Sequence, residues 1–417
     1  MTSSRPDLLK RLADEHARRT RAQLLRRVRT VETGDGAAIV VDGRRLTHFA
    51  SNDYLGLARH PALVEALTRA ARSDGVGAGA AHLLGGHRDE HTRLEEALAR
   101  WTGRERALLF STGYMANLGA IAALVGAGDP GARAAQVLCV QDKLNHASLI
   151  DGARLAGCTL KRYVHANVDS AARQLDTCPG DAALLATDGV FSMDGDVAPL
   201  APLAALCRAQ RALLMVDDAH GLGVLGPDGA GSVAEAELSQ DDVPVLMGTL
   251  GKALGVFGAF VAGSAALIDG LVQTARSFVY TTAMPPALAA ATCTAIDIAR
   301  FEGWRRDRLA RLIAHFRHGA HARGIALMES RTPIQPVPVG DSAAALAASA
   351  RLEAAGFYVP AIRPPTVPPG QARLRVTLSA LHSEEDVERL LDALAIALEP
   401  SPSRGGLGGD GVGPTRP

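Results

Sequence analysis

The sequence predicts an α/β protein with a large, mostly parallel-sheet domain and a smaller C-terminal α/β domain. Three observations carry this expectation. Short, near-continuous apolar runs, "QVLCV" (136–140), "AALLATDG" (182–189) and "ALLMVDD" (212–218), alternate with alanine-rich helical stretches. The runs lead into polar residues, as buried parallel strands do when their carboxyl ends open onto a site. After Met284-Pro285-Pro286 the alternation returns in miniature.

In chain order, residues 5–29 read as a basic surface helix with Leu8, Leu9, Leu12, Leu24 and Leu25. Asp7, Asp14 and Glu15 argue against an organelle-targeting segment there. The expected division is 1–50 as a helical arm with short strands, 51–290 as the large domain, and 291–400 as the small one. The stretch "ALAAATCTAIDIARFEGWRRDRLARLIAHF" is one long helix or two. Strand-like "IQPVPVG", "FYVPAIR" and "RLRVTLS" and helix-like "SAAALAASARLEAAG" and "EEDVERLLDALAIAL" follow. Residues 401–417, rich in Gly, Pro and Ser, are expected to be a disordered tail.

Composition excludes some classes. Lys plus Arg and Asp plus Glu both total 44, so net charge offers no attraction to nucleic acid. No apolar run approaches the roughly 20 residues that span a bilayer. The five cysteines show neither a metal-ligand spacing nor a disulfide pattern, which favours a reducing, cytoplasmic setting.

The chemistry concentrates at strand ends. One run ends in "DGVFSMDGD" and another in "MVDDAHG", and the stretch "LMGTLGKALGVFGAF" holds a single charged side chain, Lys252, among glycines. A lysine usually reaches water along its stem. Here Asp217, His220 and Lys252 fall on successive strand ends, which are neighbours in a parallel sheet. A metal centre would repel the ammonium and lacks an evident third ligand. Neither a phosphate-binding nucleotide loop nor a dinucleotide fingerprint is present.

Pyridoxal phosphate accounts for all three side chains. Lys252 would bind its carbonyl carbon, Asp217 would hold the pyridine nitrogen protonated, and His220 would reach the ring hydroxyl. Thr249 could bond the phosphate, and small residues around Lys252 would let a flat ring approach the backbone. "FSTGYMANLGAIAAL" offers the amides of Gly113 and Tyr114 at a helix start, although Tyr114 could equally be a core aromatic. His146 could stack on the ring or merely cap a helix. Asp218 should point to the opposite face from Asp217 and tolerate replacement.

The motifs "SNDYLGL", "HRDEHTRLEEALARW", "GVFSMDGD", "VDDAHGLGVLG", "GTLGKALGVFG" and "FVYTTAMPP" occur in the order seen in the α-oxoamine synthases, and the chain resembles that family from 48 to 394. The resemblance implies the aspartate-aminotransferase-like fold type I, a cytoplasmic homodimer with shared sites, and pyridoxal 5′-phosphate as cofactor. It gives Lys252, Asp217 and His146 catalytic roles and places Gly113, Tyr114, Ser192, His220 and Thr249 around the cofactor. Tyr280, Thr281 and Thr282 would approach the phosphate from the neighbouring subunit. Asn52 and Arg375 would contact the amino-acid carboxylate or intermediates, and Arg363 is a further substrate-side candidate.

The stretch "AIRPPTVPPGQARLRVTLSALH" is similar to the biotin-pathway branch, which implies L-alanine and a pimeloyl thioester, on coenzyme A or acyl carrier protein, as substrates. A sibling reaction, 2-amino-3-ketobutyrate formation from glycine and acetyl-CoA, is the alternative. The partner of the acyl carboxylate is open among Arg21, Arg26 and Arg27. Residues 75–87, "GVGAGAAHLLGGH", depart from the family pattern where the thioester channel is expected, and bring in His82 and His87.

Overall fold

A computed structural model describes residues 5–22, 24–126 and 136–399. The expected tail, 401–417, lies outside the described residues. Three N-terminal strands, β1 (Val31–Thr33), β2 (Ala38–Val41) and β3 (Arg44–His48), precede the large sheet. That sheet comprises β4 (Arg106–Phe110), β5 (Val137–Asp142), β6 (Thr159–Tyr163), β7 (Ala182–Asp188), β8 (Leu213–Asp217), β9 (Val245–Thr249) and β10 (Ala259–Gly263). The C-terminal portion adds β11 (Ile334–Gly340), β12 (Phe357–Tyr358), β13 (Ala361–Ile362) and β14 (Ala372–Thr377).

The seven-stranded sheet runs in the order β4-β10-β9-β8-β7-β5-β6. Strands β5 to β9 pair in parallel, and β10 is antiparallel to both its neighbours. Its apolar strands are buried on both faces, which explains why they read as continuous runs rather than alternating ones. Register sets Asp188 of β7 beside Asp217 of β8, and Asp217 beside Met247 of β9. The ends of three strands therefore open side by side.

Helix Gly113–Leu124 follows β4 and packs against helix Ala147–Ala156. Gly152 permits the close approach, because a Cβ there would stand 2.9 Å from Ile121 Cδ1. The ambiguous stretch after Pro285 is two helices, Pro286–Phe301 and Trp304–Ala322, separated at Glu302-Gly303.

The structure corrects several sequence expectations. The N-terminal helix covers Leu8–Arg21, not 5–29. Asp7 caps its start, and beyond Ala22 the chain leaves the helix, with the Arg29 guanidinium held by Glu353 and Asp42. "FYVPAIR" is not one strand: β12 pairs in parallel with β3, while β13 pairs with β14 in another sheet. The expected boundary at 290/291 falls inside helix Pro286–Phe301. One buried apolar cluster runs from Phe49 through Leu250 and Ala295 to Leu394, so part of the large sheet and the C-terminal helices share a core, while Ile39, Val41 and Leu46 of the N-terminal strands form a small cluster of their own with Tyr358.

Candidate active site

Lys252, Asp217, His220, His146, Ser192 and Thr249 line one cavity of about 180 Å³ at the strand ends, together with Gly113 and Tyr114. Asp217 closes β8 and is buried. Its Oδ2 accepts from Asn117 Nδ2 at 2.7 Å, and its Oδ1 from the Ala219 amide at 3.1 Å. Among the described residues it has no ion-pair partner. Neighbouring Asp188 is also buried and accepts from the His146 amide at 2.7 Å. Burial, and then repulsion by Asp217, push the Asp188 carboxyl well above the usual carboxylate range.

Lys252 stands on a turn closed by bonds from Leu250 N to Gly258 O and from Gly255 N to Lys252 O, both 2.9 Å. The glycines serve this turn and its packing. Gly255 has φ +69° and lies against the Leu57–Ala58 backbone, and Gly258 has φ +109°. Gly251, next to Lys252, is under no such constraint, since a Cβ there would meet nothing nearer than 3.7 Å. Burial lowers the Lys252 amine to about 8, with Asp217 and Asp188 opposing the shift. The amine therefore stays mostly protonated at pH 7 but yields its free base far more readily than an ordinary lysine.

A chain of hydrogen bonds runs outward from this amine. Lys252 Nζ lies 2.8 Å from His220 Nε2, and His220 Nδ1 lies 2.6 Å from Tyr54 Oη. Burial, then Lys252 and Arg375, hold the His220 imidazole well below its ordinary value, so the ring is neutral. With Nε2 accepting from Lys252, its proton resides on Nδ1 and points to Tyr54. Tyr54 Oη donates to Asn52 Oδ1 at 3.3 Å, which also accepts from both terminal nitrogens of Arg375 at 3.3 Å. Arg375 is on β14, and its Nε donates to the Ser192 carbonyl at 2.8 Å.

Of the two roles that the sequence left open for His146, the structure shows the helix cap. The residue is the N-cap of helix Ala147–Ala156, accepting from the Ser148 amide at 3.3 Å, and it lines the cavity. Its Nδ1 also meets Ser148 Oγ at 2.7 Å, which leaves the proton of the neutral ring on Nε2. Burial lowers its basicity against the opposing pull of Asp217. Tyr114 is not a core aromatic: it is 43% exposed and bonds Asp151 at 2.6 Å. At the start of its helix the Met115 amide goes to Thr112 Oγ1 and the Ala116 amide to Thr112 O, so the Gly113 and Tyr114 amides remain available at the cavity wall. Thr249 donates its hydroxyl to Gly258 O at 3.1 Å.

Other expected residues lie elsewhere. Arg363, Thr281 and Thr282 are not on this cavity wall, nor is any residue of 75–87. Thr282 instead bridges to Ala81. Among the three N-terminal arginines, Arg26 bonds Thr366 Oγ1 at 3.1 Å. Asp218 points away from Asp217 as expected, but the expectation of tolerance fails. It is fully buried, its Oδ2 accepts from Ser232 N at 2.7 Å and its Oδ1 from Ser232 Oγ at 2.6 Å. Gly221 and Gly231 leave no room for a Cβ beside its carboxylate.

Sequence reasoning missed Asn117, Tyr54 and Asp188. Tyr54 sat inside "SNDYLGL" and Asp188 ends its strand as Asp217 ends the next. Asn117, one turn into an apolar helix, was the only polar side chain that could face the sheet there.

The donor set fits pyridoxal phosphate. A buried carboxylate with no salt bridge among the described residues matches a protonated pyridine nitrogen, a lysine of lowered basicity matches the aldehyde, and two helix-start amides left open at the cavity wall match the phosphate.

This fold and site define a class, and the chain belongs to the aminotransferase class I and II family, whose profile matches residues 44–394. Within that class it is 57% identical over 389 residues to 8-amino-7-oxononanoate synthase of Pseudomonas putida strain F1, covering 93% of this chain and 96% of that one. The solved 8-amino-7-oxononanoate synthase from Francisella tularensis superposes with a TM-score of 0.72 at 28% identity, over 84% of this chain and 97% of that one. A serine palmitoyltransferase from S. paucimobilis, solved with pyridoxal phosphate and myriocin, gives 0.87 at 27% identity over 94% and 98%. The architecture is fold type I. No helix of the described residues is long and apolar enough to cross a membrane.

Proposed function

We propose that the protein condenses L-alanine with a pimeloyl thioester, releasing carbon dioxide and the thiol, to give 8-amino-7-oxononanoate in biotin biosynthesis. The carrying observation is the convergence of Lys252, Asp217 and His220 on one cavity. The 57% identity to an 8-amino-7-oxononanoate synthase supports the choice of substrates. Pyridoxal phosphate, when bound, supplies a carbonyl carbon for the amino group and a cationic ring that accepts the electron pair of the amino acid's Cα.

The chain's residues divide the remaining work. Lys252, freed as the neutral amine, takes the Cα proton of alanine. Asp217, fixed by Asn117, holds the proton of the ring nitrogen. The Gly113 and Tyr114 amides would hold the phosphate, Thr249 could join them only if its hydroxyl turned from Gly258 O, and His220 would face the ring oxygen. Arg375, clamped by Ser192 and Asn52, binds the carboxylate that leaves as carbon dioxide. His146, protonated on Nε2, hydrogen-bonds the thioester carbonyl as carbon–carbon bond formation expels the thiolate.

The same proposal includes a cytoplasmic homodimer with shared sites. Thr281 and Thr282 lie off this chain's own cavity wall beside an exposed Tyr280, which supports their reaching a second copy's cofactor. Arg363 is assigned to the substrate side on resemblance alone.

The test pairs alanine or glycine with pimeloyl-CoA, pimeloyl-carrier protein or acetyl-CoA and follows thiol release and product mass. Alanine with a pimeloyl donor should give the fastest turnover. Preference over glycine should be modest, since one methyl group is worth about 1–3 kcal/mol. Faster reaction of glycine with acetyl-CoA would refute the substrate assignment and leave the cofactor site standing.

A further inference from the structure

Three imidazoles gather outside the active-site cavity, where the unusual 75–87 segment runs into the motif "HRDEHTRLEEALARW". His82 opens a short 3-10 turn, Gly85 at φ +88° reverses the chain, and His87 returns to lie 2.8 Å from it, Nδ1 to Nδ1. His91, in the first turn of helix Asp89–Thr102, completes the group. One nitrogen from each ring lies within 4.8 Å of the others.

We propose that His82, His87 and His91 bind a Zn²⁺ ion, with water as the fourth ligand. Neutral imidazoles are the preferred nitrogen donors for this cation, and no carboxylate or thiolate competes within the group. The rings are held from behind, as metal-bound histidines are. His91 Nε2 donates to the Met284 carbonyl at 2.8 Å, which leaves its Nδ1 unprotonated. His87 Nε2 faces Thr92 Oγ1 at 3.1 Å and Glu95 Oε2 at 3.9 Å, which leaves its Nδ1 toward His82. His82 stacks on Phe278, with ring centroids 5.0 Å apart. Burial is the leading cause of lowered basicity in all three rings.

Binding has a structural cost, which the exposed rim can absorb. His91 Nδ1 accepts from the Arg88 amide at 2.8 Å, a bond the metal would replace. Arg88 is exposed, so water can take over its amide. Tetrahedral Zn²⁺ needs ligand nitrogens about 3.3 Å apart at Zn–N distances near 2.0–2.1 Å. The short His82–His87 contact must open and the longest separation close. His87, exposed on a turn, is the ring free to move. Ala81 bridges to Thr282 and His91 holds Met284, so the ion would tie segments 81–91 and 278–284 together.

The test uses the holoprotein after treatment with chelator. Titration with Zn²⁺ should show a site of one ion per chain, and Co²⁺ at that site should give a visible d–d band of tetrahedral intensity. His87→Ala should weaken the site by at least about thirtyfold and abolish the band. His87→Cys should restore binding and add a thiolate–cobalt charge-transfer band. His82→Gln, checked for native circular dichroism, should behave like His87→Ala. A parent protein that develops no such band, or equal affinities in parent and His87→Ala, would overturn the proposal.

Discussion

Replacing Lys252 by Met should make the cofactor-free protein more stable at pH 7 while abolishing turnover. The amine is lowered from 10.5 to about 8, chiefly by burial. Folding with that amine charged costs roughly 3 kcal/mol, at about 1.4 kcal/mol per tenfold change in proton affinity. Solvent access through the cavity mouth reduces this to roughly 2 kcal/mol. Methionine matches the length of the stem but cannot donate to His220 Nε2, a loss of about 1 kcal/mol. The expected net gain is therefore about 1 kcal/mol. The sign with pH follows directly. Between about 8 and 10.5 the unfolded chain holds the proton that the folded chain has released, so the parent gains stability as pH rises. By about pH 10 most of the penalty is gone, and the parent should be the more stable of the two. Urea midpoints of both cofactor-free proteins, at equal concentration and at both pH values, measure this. A parent as stable as Lys252→Met at pH 7, or a gap indifferent to pH, would refute the reasoning.

Asp217→Asn should retain cofactor but slow release of the alanine Cα proton by at least about a hundredfold, followed as deuterium exchange by NMR. Asp218→Ala should leave the Ser232 amide and hydroxyl buried without acceptors and cost about 2–4 kcal/mol in denaturant unfolding. Arg375→Lys keeps the charge but loses the planar fork spanning Asn52 and Ser192. It should raise KM for alanine by at least about tenfold, read from initial rates.

Much of the architecture was legible because burial on both faces leaves a plain mark on a strand. The three apolar runs became β5, β7 and β8 with ends within two residues of expectation, and the polar residues after them did reach one cavity. Pairing between distant segments left no comparable mark. Nothing in "FYVPAIR" distinguishes Tyr358, whose strand joins β3, from Ala361, whose strand joins β14. The basic N-terminal stretch likewise gave no sign that it stops being helical at Arg21, or that Arg29 pairs with Glu353, more than three hundred residues away in sequence.

The sequence by itself determined the residue types that the chemistry requires: one lysine among glycines, and an aspartate and a histidine at the end of a buried strand. These are local facts of composition and periodicity. Only the tertiary structure decided protonation and alignment. The neutral His220 ring, with its proton directed to Tyr54, depends on the approach of Lys252 from the next strand end. The place of Arg375 depends on β14 reaching the Ser192 carbonyl. Asp218 became a buried anchor rather than a tolerant neighbour because Ser232 and two glycine-lined turns close around it. Proton affinity is set by desolvation and by charges within a few ångströms, and those neighbours come from parts of the chain that sequence proximity does not reveal.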